Sequence, residues 1–275
     1  MAGISNVLQT RVAAYVARAS WSIANGVHLM ASIVAVVTAG MVIYHALSEY
    51  KSTVRWMIIL IVVALATDIA LLVALLTTGD VFSPGQQLLQ TTVGRVVPAI
   101  NKYNRYADAL SLTGTLSLAV AACATLWHRD MKNELDETQL MRRVTLLRPV
   151  LYVGAATLAI AVLRLSATFG WAASYVPADT ELGRAVSSLV AGIVGSLGIS
   201  FTLLMSGLYL PAALLLRARV KALAATKPDP EAWLTSRGLT LSFPQYLPRV
   251  IALLTPLLAG PVGDLLVRAT AALGG

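Results

Sequence analysis

Two ionisable residues stand inside otherwise apolar runs of this sequence: Asp68 in LIVVALATDIALLVALL and Arg164 in YVGAATLAIAVLRLSATFGW. A charged side chain in hydrocarbon costs at least a few kcal/mol, so each is a candidate functional group in need of a partner. Counted from Val54 and Val150, where the two runs begin, each lies fourteen residues in, or about 21 Å at roughly 1.5 Å per residue. The two runs point the same way whichever way the chain inserts, so their matched depth predicts an Asp68–Arg164 ion pair. Such a pair can hold two helices in register. It can also serve an ion or solute pathway, with Arg164 as the fixed charge and Asp68 as gate or proton carrier.

Other polar groups gather at one end of the same spans. Asn25 and His28 lie in the first apolar run and Asp108 opens the third, with Thr113, Thr115 and Ser117 deeper. Together with Asp68 and Arg164 they are candidates for lining a cavity that opens to one side. Asp108 also has Lys102 and Arg105 close by in sequence, and His28 taken alone reads first as a helix-packing or interfacial histidine. The histidines at 28, 45 and 128 fall at no zinc-binding or haem-ligating spacing, and the single Cys123 allows no intrachain disulfide. No metal and no cofactor are expected.

Enzyme signatures are missing from the sequence. There is no phosphate-binding GxxxxGK[ST] loop, no HExxH and no GxSxG elbow. Gly195-Ser196-Leu197-Gly198 permutes an intramembrane serine-protease motif, but no histidine follows Ser196 to act as its base.

The elements that must position these residues follow from composition. The chain has 275 residues, 57% of them hydrophobic and 12% charged, with a mean hydropathy of +0.74. Soluble domains carry about a quarter charged residues. This composition belongs to the bilayer. The net charge of +8 and the pI near 9.9 do not point to nucleic acid, because the basic residues stand in short blocks between apolar runs, where they set orientation.

A helix needs about 20 apolar residues to cross roughly 30 Å of hydrocarbon. Five stretches qualify, at 22–47, 54–78, 107–128, 150–173 and 187–212. Trp21, Trp56, Trp127 and Trp171 fall at their boundaries, where indole rings collect. With the N-terminus outside, the inner side gathers Lys51, Arg55, Arg129, Lys132, Arg142, Arg143, Arg148, Arg217, Arg219, Lys221, Lys227 and Arg237. The outer side gathers Arg11, Arg18, Arg95, Lys102, Arg105 and Arg184. This excess favours an N-out chain.

The connections are informative too. Gly79 to Tyr106 is long and interrupted by Pro84, Gly85, Gly94 and Pro98, which suits one short surface helix. The mixed-sign run from His128 to Arg148 suits two helices continuing past the bilayer as a solvated hairpin. Past the fifth span, Pro230 and Glu231 start a new helix. Tyr246 to Ala259 then forms an amphipathic stretch of about thirteen residues, broken at Gly260-Pro261, of a length that suits interfacial or re-entrant helices.

The fifth run has a face of small residues. Ser188, Gly192, Ser196 and Ser200 recur every fourth position, with Gly195 and Gly198 beside them. Such a face lets helices approach closely, within the chain or between copies.

The chain therefore reads as an all-α polytopic transmembrane helix bundle of about five full spans plus a C-terminal amphipathic or re-entrant helix pair. Its organisation is an amphipathic lead-in over 1–20, the bundle over 21–216 and cytoplasmic or interfacial helices over 217–275. The expected function is of channel, transporter or pore type, built on Asp68 and Arg164. The alternative is a non-catalytic accessory or scaffold subunit of a larger inner-membrane complex. The expected partners are the lipid bilayer and either further copies or other members of a membrane complex, with no nucleic acid. The expected location is a bacterial inner (plasma) membrane, with an organelle inner membrane as the alternative.

Overall fold

The structure, a computed structural model, describes residues 2–48, 50–76, 97–127, 137–177, 180–237 and 243–273. The elements are α1 (Ala2–Ala46), α2 (Ser52–Leu76), α3 (Val97–Leu126), α4 (Glu137–Ala173), α5 (Glu181–Ala224), the short α6 (Pro230–Ser236) and α7 (Phe243–Leu273), with no strand among the described residues. Helices are the natural result, since each satisfies its backbone polar groups internally and so can stand in hydrocarbon. Five stretches are long and apolar enough to cross a membrane: Ala14–Ala46, Ser52–Ala70, Tyr106–Leu126, Glu137–Ala173 and Glu181–Ala224. The chain is thus a multi-pass helical bundle of the kind the composition requires.

Local chemistry sets the helix starts that follow loops. Thr180 caps α5 by accepting the Gly183 amide at 2.9 Å, and Asp229 caps α6 by accepting the Ala232 amide at 3.0 Å, with Pro230 in the first turn. Arg143, buried on α4, closes the far end of α3. Its guanidinium donates to the Thr125 carbonyl at 3.2 Å and to the Trp127 carbonyl. Arg219 of α5 donates to the neighbouring Leu126 carbonyl at 3.1 Å. Cations at a helix C-terminus meet both its free carbonyls and its dipole.

α1 packs on α3 and α4, α4 on α5 and α7, α5 on α7, and α2 mainly on α3. The main core joins Ala35, Ala39 and Ile43 of α1 to Leu118 and Ala121 of α3, Leu151 and Leu158 of α4, and Met205 and Leu216 of α5. Close approach depends on small residues. A Cβ at Gly114 would stand 3.1 Å from the Ser32 carbonyl oxygen of α1, and one at Gly198 would stand 3.0 Å from the Pro256 carbonyl oxygen of α7.

The segment 1–20 is continuous with the first span, since α1 is one helix from Ala2 to Ala46. Two features differ from the sequence reading. Between the third and fourth spans, α3 ends at Leu126 while α4 begins at Glu137, so of the expected hairpin it is α4 that extends; residues 128–136 lie outside the described residues. The C-terminal pair expected to break at Gly260-Pro261 is one helix that contains Pro248, Pro256 and Pro261. Membrane helices tolerate proline where neighbouring helices resupply contacts. Here Gly260 lies against Val194 of α5 and Gly263 against Ser166 of α4. α7 is antiparallel to α5, since Pro256 faces Gly198 and Gly260 faces Val194 four residues earlier. It is 31 residues long, or about 46 Å, but its apolar stretch, Leu247–Gly263, is shorter than the five candidate spans. The expected surface helix between Gly79 and Tyr106 falls largely in 77–96, outside the described residues.

Candidate functional site

Arg164 is the centre of the buried polar chemistry. Its side chain is 3% exposed, and its Nε donates to Asn25 Oδ1 at 2.7 Å while Nη1 donates to Asp108 Oδ1. Asn25 is itself oriented, because its Nδ2 donates to the Trp21 carbonyl at 2.8 Å. That leaves the amide oxygen to face the guanidinium. The Trp21 ring meets Trp171 of α4 at a centroid distance of 5.1 Å, placing aromatic rings at this end of α1 and α4 together. Thr168 fixes the backbone below them by donating to the Arg164 carbonyl at 2.8 Å.

Three helices thus supply one site: Asn25 from α1, Asp108 from α3 and Arg164 from α4. Its electrostatics are lopsided. The Asp108 side chain is 56% exposed where Arg164 is sealed in, so the fixed charge inside has its counter-charge at the rim. Hydrogen bonds to charged groups are worth about 1.5–3 kcal/mol, which is enough to hold a guanidinium below the surface.

His28 stands one turn along α1 from Asn25 and is 0% exposed, with neither ring nitrogen hydrogen-bonded among the described residues. Arg164 is close enough to act on it electrostatically. Ser117 of α3, also fully buried, has an unpaired Oγ. By contrast Ser32, Thr113 and Thr115 bond back to carbonyls of their own helices, at 2.8, 2.9 and 3.0 Å. Hydroxyls bonded back to the carbonyl four residues earlier have their donor satisfied within their own helix.

The sequence reading paired Arg164 with Asp68, and the structure does not bring those two together. Asp68 lies on the outward side of α2, exposed, without an ion pair or hydrogen bond among the described residues. The physical reason is adjacency: α2 packs against α3 and α1, whereas Arg164 projects from α4 into the seam it shares with α1 and α3. Equal depth placed both groups in the membrane without making them neighbours. The carboxylate that pairs with Arg164 is Asp108. Its sequence neighbours Lys102 and Arg105, the other suggested partners, have side chains outside the described residues.

The small-residue face of α5 divides. Ser188, Gly192, Ser196 and Ser200 are exposed, and a Cβ at Gly192 or Gly195 would meet nothing within 4 Å. Gly198, beside the stripe, makes the internal contact with α7.

At the opposite, basic end lies a second charged group. Glu137, in the first turn of α4, pairs with Lys227 at 3.0 Å and with Arg237. Both cations lie 5.9 Å from the centroid of the Trp233 ring. The apolar run 150–173 suffices to cross a bilayer, so Glu137 stands beyond it. A hydrogen bond from Lys227, the largest influence, holds its carboxyl below the usual carboxylate range; burial opposes it, and the Arg237 and Lys227 charges and a Trp233 hydrogen bond add to the lowering. Nearby, Arg142 meets His45 Nδ1 at 2.9 Å. No group of three or more His, Cys, Asp or Glu side chains capable of holding a metal occurs among the described residues.

No family model matches this chain, and neither a curated protein nor a solved structure matches it.

Proposed function

We propose that the protein is a channel- or transporter-type membrane protein whose solute site is built around Arg164, Asn25, Asp108 and His28. One observation supports this above the others: a guanidinium held 3% exposed inside a membrane bundle is paired with a carboxylate at a rim that is 56% exposed. Ionisable residues inside membrane spans are functional-site candidates by default, because burying them is costly. A fixed positive charge favours an anion. The unpaired His28 ring next to it offers a second group able to donate to such a solute.

The test is flux in proteoliposomes made from the purified protein, using chloride, nitrate, acetate and inorganic phosphate in turn, with a pH dye inside. The reading expects one anion to pass and Arg164→Gln to abolish its passage, with His28→Ala reducing it. Vesicles impermeable to all four solutes and to protons would overturn it.

A second reading, a non-catalytic subunit of a larger membrane complex, draws support from the outward small-residue face of α5. Ser188, Gly192 and Ser196 present a flat surface there, with room for another helix.

A further inference from the structure

Asp68 is an ionisable group that the Arg164 site does not use. It lies on the outward face of α2, in a row with Met57, Ile61, Leu65 and Ile69, all of them exposed. Inward, the same helix presents Ile59, Ala66 and Ala70 to the bundle. Apolar residues pointing outward from a membrane helix are at home in lipid, but a carboxylate among them is not. The apolar run continues past it to Leu76, eight residues or about 12 Å further on. A lysine or arginine can lift its charge to the interface over such a distance, whereas the short aspartate side chain cannot. Thr67 beside it is already engaged, donating to the Val63 carbonyl at 2.8 Å.

We propose that the Asp68 face of α2 is the docking site for a transmembrane helix of a different protein that bears a lysine or arginine within its apolar span. Charge complementarity selects this occupant. A cation at that depth neutralises the carboxylate and accounts for an acid in a row otherwise suited to lipid. A second copy of this chain fits less well. Its mid-span cation, Arg164, is sealed inside and bonded to Asn25 and Asp108, while Arg18, Arg55, Arg148, Arg184, Arg217 and Arg249 stand at or near the ends of the apolar runs. Nor is the site the solute site described above, since Asp68 faces away from the seam between α1, α3 and α4.

The experiment places a photo-crosslinking amino acid at Leu65, irradiates native membranes and sequences the attached peptide. The purified assembly is then compared for wild type, Asp68→Glu, Asp68→Asn and Asp68→Lys. The proposal expects a crosslinked peptide that is an apolar segment of another protein with an internal Lys or Arg. That partner should fall at least tenfold in Asp68→Asn and be retained in Asp68→Glu. Reversing the partner's basic residue to Asp should restore it to Asp68→Lys. Because Asp68 makes no ion pair or hydrogen bond among the described residues, the melting temperature of the chain in detergent should be unchanged in Asp68→Asn, which separates a lost partner from a lost fold. Crosslinks to lipid alone, crosslinks only between copies of this chain, or an assembly whose composition ignores Asp68→Asn would each overturn it.

Discussion

Arg164 and Asp108, 56 positions apart in the chain, meet across the contact of α4 with α3, and only the aspartate is open to the surroundings. The arrangement resembles a tethered weight: the cation is fixed inside by Asn25, and the anion that balances it sits where another anion could arrive. Both the stability of the bundle and any solute chemistry at this end then depend on the same guanidinium.

Replacing that group should separate its two bonds. Arg164→Met removes the donor to Asn25 and the cation facing Asp108. Breaking a buried pair costs about 3–5 kcal/mol, but Asp108 is more than half exposed and its share is screened. A loss of about 1–3 kcal/mol is therefore expected from the hydrogen bonds to the charged group. Arg164→Lys should recover under half of it, since one ammonium lacks the planar fork that reaches two acceptors in different directions. Unfolding in mixed detergent micelles measures both. An Arg164→Met protein as stable as wild type would mean that the buried contact contributes nothing.

The glycines of α5 make a paired prediction. A side chain at Gly198 runs into backbone, 3.0 Å from the Pro256 oxygen and 3.3 Å from Leu257 Cα, and backbone has no rotamer by which to give way. Gly198→Leu should push α7 off α5 and destabilise the chain by about 1–3 kcal/mol or more. Gly192→Leu meets open space and should leave the melting temperature of the single chain within a degree or two of wild type. Any effect of Gly192→Leu should appear in the size of the assembly on a sizing column. Equal destabilisation by the two substitutions would contradict the packing of α7.

Much of this architecture was legible in the sequence, for identifiable reasons. The spans followed from run length and from tryptophans at boundaries, which are properties of a chain in a bilayer whatever its tertiary contacts. Arg164, His28 and Asp108 were legible as candidates for a similar reason, because polarity in an apolar run is visible locally. Which of them meet was not. Pairing depends on which helices are neighbours, and depth alone does not order helices around a bundle. Two features of the chain held a partial signal: Asp108 and Arg164 lie on consecutive spans, and an arginine side chain is long enough to reach toward the end of its own helix. The continuity of α7 was hidden because Gly260-Pro261 is a local stop signal that contacts with α4 and α5 override.

Arg143 offers a test of how α3 is finished. Its buried guanidinium donates to the Thr125 and Trp127 carbonyls, groups that have no partner further along the helix. Arg143→Met keeps most of the apolar stem and removes those donors. The last turn of α3, near Ala124 to Trp127, should then exchange its amide hydrogens at least tenfold faster, with a stability loss of about 1–3 kcal/mol for the unsatisfied acceptors. Exchange confined to wild-type rates would show that Arg219, which donates to the Leu126 carbonyl, is sufficient as a cap.

At the basic end, acid should release α4 from the segment that follows α5. Lys227, Arg237 and Trp233 favour ionised Glu137 in the folded chain and lower its pKa. A lowered carboxylate contributes fully above the ordinary carboxylate range, and that stabilisation falls progressively as pH drops from there through the lowered folded value, where the folded chain itself takes up the proton. Trp233 reports the change directly, because both cations that pair with Glu137 lie against its ring. Its fluorescence should hold steady from neutral pH down through the usual carboxylate range and change only below it. Glu137→Gln should show the low-pH signal at every pH, and Trp233→Phe should erase the transition. High salt should weaken it, since the pairs are partly exposed. A transition centred above the ordinary carboxylate range would be incompatible with cations facing Glu137.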